Sequence, residues 1–176
     1  MAELKAELLR LEAGGSDKAQ LAQQHFILAV AHLRREEYGE AIRHLEQSLT
    51  YKENDPITLA YLGASLLEEY RVDEAREQLE KALALAPDQM LVWLKMGEFH
   101  YRLGFYPQAL HHLEAASRLQ APNEATAQYL VTLLTKVRKL NRNIIVRNPV
   151  VPNLKKIRAF FKRVVPGRHR ATGYAD

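Results

Sequence analysis

Seven histidines are the residues in this chain best equipped for chemistry, and their spacing decides whether they perform any. Imidazoles hold a zinc-class metal, or move protons, when they converge with a carboxylate, as in the helical set H-E-x-x-H. No such set occurs in the sequence. His32 and His100 stand at positions that call for a large packing side chain, so packing or surface roles are expected and no metal is. Gly14-Gly15 is not followed by the Lys-Ser/Thr of a phosphate-binding loop. The carboxylates, among them Glu36-Glu37 and Glu68-Glu69, are spread over polar stretches with no pair suited to acid–base work. Cysteine is absent, which removes disulfides, thiol nucleophiles and cysteine-ligated metals. The chain is expected to be no enzyme, with no catalytic residues and no cofactor.

Charge is distributed unevenly. Residues 1–135 carry 13 Lys and Arg against 20 Asp and Glu, a net −7, whereas residues 136–176 carry 12 against Asp176 alone, a net +11. Such a split marks an interaction segment and divides the chain into an acidic body and a basic tail. The first residues mix both charge signs without an apolar core, unlike a secretory signal. No stretch approaches the roughly 18 apolar residues of a membrane span. A cytoplasmic setting is expected, with a peripheral position on the cytoplasmic face of a membrane as a variant.

The elements that position these residues repeat. Ala41, Ala75 and Ala109 lie 34 residues apart, each with a small residue 12 upstream (Ala29, Gly63, Gly97) and another 7 downstream (Ser48, Ala82, Ala116). Bulky Leu28, Leu62 and Met96 precede the first small residue, and Leu45, Leu79 and Leu113 follow the alanine by four. Small residues let two antiparallel helices approach, and bulky ones at helical spacing fill the seam. This pattern resembles the tetratricopeptide-repeat family, a helix–turn–helix of that period. Trp93, Met96, Gly97, Tyr106, Ala109, Leu113 and Ala116 carry the resemblance best, while His25 and Ser48 depart from it.

The resemblance implies an all-α solenoid of helical hairpins: repeats at 16–55, 56–89 and 90–122, an N-terminal helix within 1–15, a capping helix at 123–140 and a basic tail at 141–176. Asp55 before Pro56, and Asn123 after Pro122, read as helix N-caps. Leu4, Leu8 and Leu11 give the first helix an apolar face that is expected to cover the N-terminal edge of the array. Polar Gln128, Thr132, Thr135 and Lys136 suit the outer face of the last helix.

In this family the first helix of each hairpin lines the concave surface. Mapped by repeat position, that surface carries Gln23, Phe26, Val30 and Leu33, then Ile57, Ala60, Ala64 and Leu67, then Leu91, Leu94, Glu98 and Tyr101. The resemblance thus implies a groove for an apolar peptide or amphipathic helix, with Leu67→Asp and Leu94→Asp expected to abolish capture. The carboxylate clamp of co-chaperone members needs Lys, Asn and Arg where this chain has Phe26, Val30, Tyr61, Leu91 and Lys95, and only Lys95 fits.

In the tail, a connector ending near Asn153 leads to an amphipathic helix at 153–165. Leu154, Ile157, Phe160 and Phe161 share one arc, with Lys155, Lys156, Arg158, Lys162 and Arg163 on the other. The expected partners are a protein or peptide in the groove, and an anionic membrane surface or acidic assembly at the tail. The alternative is a nucleic-acid or ribosome-associated factor acting through the tail.

Overall fold

The computed structural model describes residues 1–14 and 17–147, with side chains to residue 143. The amphipathic tail helix at 153–165 lies outside the described residues. All regular structure among those residues is helical: α1 (Ala2–Ala13), α2 (Lys18–Leu33), α3 (Tyr38–Tyr51), α4 (Pro56–Glu68), α5 (Val72–Leu85), α6 (Met90–Arg102), α7 (Tyr106–Ala116) and α8 (Glu124–Arg147). The pairs α2–α3, α4–α5 and α6–α7 pack as hairpins, and α4 also packs on α6. Residues Met1–Leu140 form one compact unit.

Local chemistry sets the ends of these helices. Asp55 accepts from the Thr58 amide at 2.9 Å and its hydroxyl at 2.8 Å, with Pro56 in the first turn. Asn123 accepts from the Thr126 amide in the same way. The turns inside the hairpins repeat as faithfully as the side chains. Glu36, Tyr70 and Gly104 all have φ near +60° to +78° and lie 34 residues apart. The following amides of Glu37, Arg71 and Phe105 donate back five residues, to the carbonyls of His32, Leu66 and His100. This is the Schellman closure, in which left-handed backbone ends a helix and satisfies its last carbonyls. Glycine fills that position only in the third repeat.

The small seam residues act sterically. A Cβ added to Gly63 would lie 2.6 Å from Leu79 Cγ and 2.9 Å from the Ala75 carbonyl, and one on Gly97 would meet Leu113 as closely. Alanine is the better helix former by about 1 kcal/mol, yet overpacking costs about 1–3 kcal/mol. Gly63→Ala is therefore expected to destabilise the chain, seen as a lower urea midpoint at unchanged helicity. Ser48, where the pattern prefers alanine, donates its hydroxyl to the Ala22 carbonyl at 2.7 Å, which offsets its burial.

Three apolar clusters result. One joins the first two hairpins to Val92, Met96 and Phe99 of α6, and a second joins Met90 and Leu94 of α6 to α7 and to Leu130, Leu133, Leu134 and Val137 of α8. The third packs Leu4, Leu8 and Leu11 of α1 on Leu21 and Leu28, where Gln24 also donates to the Leu4 carbonyl. At the other end, α8 continues through Arg147, past the connector read from residue 141. The reason is that residues 141–147 contain neither proline nor glycine, and the first breaker is Pro149.

Candidate protein-binding groove

The first helices α2, α4 and α6 carry the residues assigned to the concave surface, and packing sorts them into two sets. Phe26, Val30, Leu33, Ile57, Ala64, Leu67, Leu91, Glu98 and Tyr101 are all half-buried. Ala60 and Leu94 are fully enclosed, at 0% and 1% exposure, and are not available to a ligand. They share one repeat position with Phe26, which packs its edge against Tyr61 on the next first helix. That position points along the array at the following helix rather than into the groove. For Leu94 the neighbours include α8.

Ala64, Leu67, Glu98 and Tyr101 are brought together around one pocket with Glu68, Lys95, Phe99, Arg102 and Tyr129. Its open volume is about 70 Å³, the size of a side chain rather than a small-molecule ligand. Gln23 and Phe26 line a second cleft with Ala19, Ala22, Lys52, Asp55 and Thr58. Tyr129 escaped the sequence reading because α8 was taken only as a cap. Lys136 on the same helix sits 5.3 Å from the Tyr101 ring centroid, so α8 adds a fourth wall.

The pocket is polar at its floor. Lys95 pairs with Glu98 at 2.9 Å, both side chains less than one-fifth exposed, and lies over the Tyr61 ring at 5.3 Å. The one clamp-type lysine is thus already engaged. Arg102 pairs with Glu68 at 2.7 Å. Glu98 Oε1 is buried with no hydrogen-bond partner among the described residues. Burial, and then the Glu98 charge, push the Tyr129 phenol above its ordinary range. The neutral phenol hydroxyl is itself a donor beside Glu98, so the charged side of the cleft is answered within the chain and its open side is lined by Ala64, Leu67 and Tyr101.

The histidines also fall into place. His32 and His44 meet across the first hairpin with rings stacked 5.4 Å apart, and His100 and His112 repeat the arrangement in the third at 4.8 Å. Burial, with the charge of Arg43 and the neighbouring histidines, lowers His44 to about 4. Burial, with His100 and His111, lowers His112 to about 4.

Helical hairpins with a common repeat and an open groove define a class of binding scaffold. Residues 66–134 match the family model described as tetratricopeptide repeat, and the described helices have the tetratricopeptide-repeat fold. Among solved structures it is similar to the Sgt2 TPR domain from Aspergillus fumigatus, at TM-score 0.61 and 19% identity, covering 75% of this chain and 85% of that one. It is similar also to the TPR2B domain of yeast Sti1 in complex with an Hsp70 peptide, at TM-score 0.59 and 18% identity, covering 70% and 98%. In sequence it is 29% identical over 129 residues to protein O-mannosyl-transferase TMTC1 of Mus musculus, covering 71% of this chain and 14% of that protein. The chain spans less than half the length of each curated relative it matches.

Proposed function

We propose that this chain is a protein-interaction module that receives an apolar or amphipathic segment of another protein in the groove of α2, α4, α6 and α8. The observation that carries the proposal is the pocket of Ala64, Leu67, Tyr101 and Tyr129, drawn from α4, α6 and α8 around one open cleft. An apolar anchor residue fills the cleft while polar groups flanking it meet the charged rim of Glu68, Lys95 and Arg102. The Sti1 domain is in complex with an Hsp70 peptide, which supports the same mode here. A match over 14% of a transferase does not carry that activity to this chain, and the reading remains a binder rather than a catalyst. In the same proposal the basic tail docks the module to an acidic or membrane-associated assembly, on the strength of its charge. No described helix is long and apolar enough to cross a membrane.

The test is a library of amphipathic peptides selected on the full chain. Recovered peptides should lose affinity by at least tenfold, or about 1.4 kcal/mol, on Leu67→Asp, with far-UV circular dichroism unchanged. Selection that yields no binders, or binders indifferent to Leu67→Asp, removes the groove from the account.

A further inference from the structure

In the first hairpin, α2 and α3 hold a cluster that the groove does not use. His32, Glu40 and His44 each offer one ligand atom, and the three atoms lie within 4.8 Å of one another. Both histidines are 3% exposed, while Glu40 lies at the surface. The hydrogen bonds determine which ring nitrogens are free. Glu37 Oε2 stands 2.6 Å from His32 Nδ1, so that nitrogen carries the proton and donates it to the carboxylate. His32 Nε2 is then a lone pair, buried without a partner among the described residues. Arg43 Nη2 donates to His44 Nε2 at 3.1 Å, which makes that nitrogen an acceptor and leaves the proton on Nδ1, 3.0 Å from His25 Nδ1. Each histidine therefore presents Nε2, held by a hydrogen bond at the opposite nitrogen. Histidines that ligate metals are oriented in the same way.

A cation already stands in this corner. The Arg43 guanidinium bridges Glu40 Oε2, at 2.7 Å, and His44 Nε2. Its side chain is 55% exposed and is free to swing outward.

We propose that His32 Nε2, His44 Nε2 and Glu40 form a binding site for one zinc-class divalent cation, with Arg43 as the intramolecular competitor that the metal displaces. Two imidazoles and one carboxylate suit zinc, cobalt or nickel rather than magnesium or calcium. Bonds of about 2.0–2.2 Å to a tetrahedral ion bring ligand atoms to roughly 3.4 Å of one another. The separations must therefore shorten by more than 1 Å at their widest, and the surface carboxylate of Glu40 moves most easily. Water takes the fourth position. The third hairpin is a natural comparison, because His100 and His112 occupy the positions of His32 and His44, but Gln108 replaces Glu40 and His111 replaces Arg43. The carboxylate ligand singles out the first hairpin.

The experiment titrates zinc into the full chain, stripped of metal, by calorimetry, with the visible spectrum of the cobalt form reporting ligand geometry. Glu40, Glu37 and Arg43 are solvent-facing, so their variants are expected to fold, and circular dichroism verifies it. A single equivalent should bind. Glu40→Gln should weaken it by at least about tenfold, and Glu37→Gln by about 10- to 100-fold through the His32 orientation. Arg43→Ala should tighten binding several-fold, the opposite of a merely structural change, while His100→Gln leaves it unaltered. Absence of binding up to about 0.1 mM zinc overturns the proposal. So does an affinity that neither Glu40→Gln nor Arg43→Ala moves, since the ion then binds elsewhere.

Discussion

Leu94→Ala is expected to lower the free energy of unfolding by about 2–5 kcal/mol, the range for truncating an enclosed leucine where the surroundings collapse incompletely. Leu94 is 1% exposed and packs with Met90, Leu113, Leu130, Leu133, Leu134 and Val137, so the cavity opens between α6 and α8. Leu94→Asp goes further and places an unpaired charge there, which should unfold the third hairpin and its cap. Urea denaturation followed by circular dichroism measures both. Leu67 on α4 escapes that fate, because it is half-buried and opens on the pocket. A loss of binding in Leu94→Asp would thus report on folding, whereas the same loss in Leu67→Asp reports on the groove. If Leu94→Ala cost less than about 1 kcal/mol, α8 would not seal the array in solution.

Acid should weaken the fold well before the carboxylates titrate. His112 is held near 4 by burial and by the neighbouring His100 and His111, against 6.5 for the free side chain. Its folded value lies below its unfolded value, so the unfolded chain takes up the proton first. The stabilisation from keeping His112 neutral is complete above about pH 6.5 and is lost as pH falls from there towards 4. The groups around it are His100 from α6 and His111 on its own helix, stacked or edge-on, with Trp93 beside them. The slope is at most about 1.4 kcal/mol per pH unit per histidine, so His112 accounts for a loss on the order of 2–3 kcal/mol. Buried His44 and His25 titrate low for the same reason and add to it. Stability measured in urea at pH 7.5 and 4.5 should fall steeply in the native chain, and less so in His112→Gln. Equal slopes would mean that His112 is solvated in the folded state.

The repeat was legible in the sequence because close packing leaves little choice at its seam: Gly63 and Gly97 have no room for a methyl, and Ala41, Ala75 and Ala109 are wholly enclosed. The groove was legible only in part. Spacing places Leu94 and Leu91 on the same helix stripe, but cannot say that neighbouring helices enclose Leu94 fully and Leu91 only in part. Tyr129 was invisible for the same reason, since its part in the pocket depends on where α8 lies. The cluster of His32, Glu40 and His44 needs the hairpin closed, because Glu40 and His44 stand one turn apart on α3 and His32 arrives from α2. The C-terminal limit of α8 was missed where helix-tolerant residues continue to Arg147 and no breaker intervenes.

Helix α6 belongs to two clusters at once, with Val92, Met96 and Phe99 on one side and Met90 and Leu94 on the other. Repeat arrays are often treated as strings of units that open independently from an end. Here the cap cannot fray without exposing one flank of a helix whose other flank anchors the preceding hairpins. The energetic coupling between neighbours thus runs through a shared element, not only through an interface, and favours concerted melting over stepwise unzipping. A ligand that wedges between α6 and α8 would accordingly be felt as far back as the first hairpin.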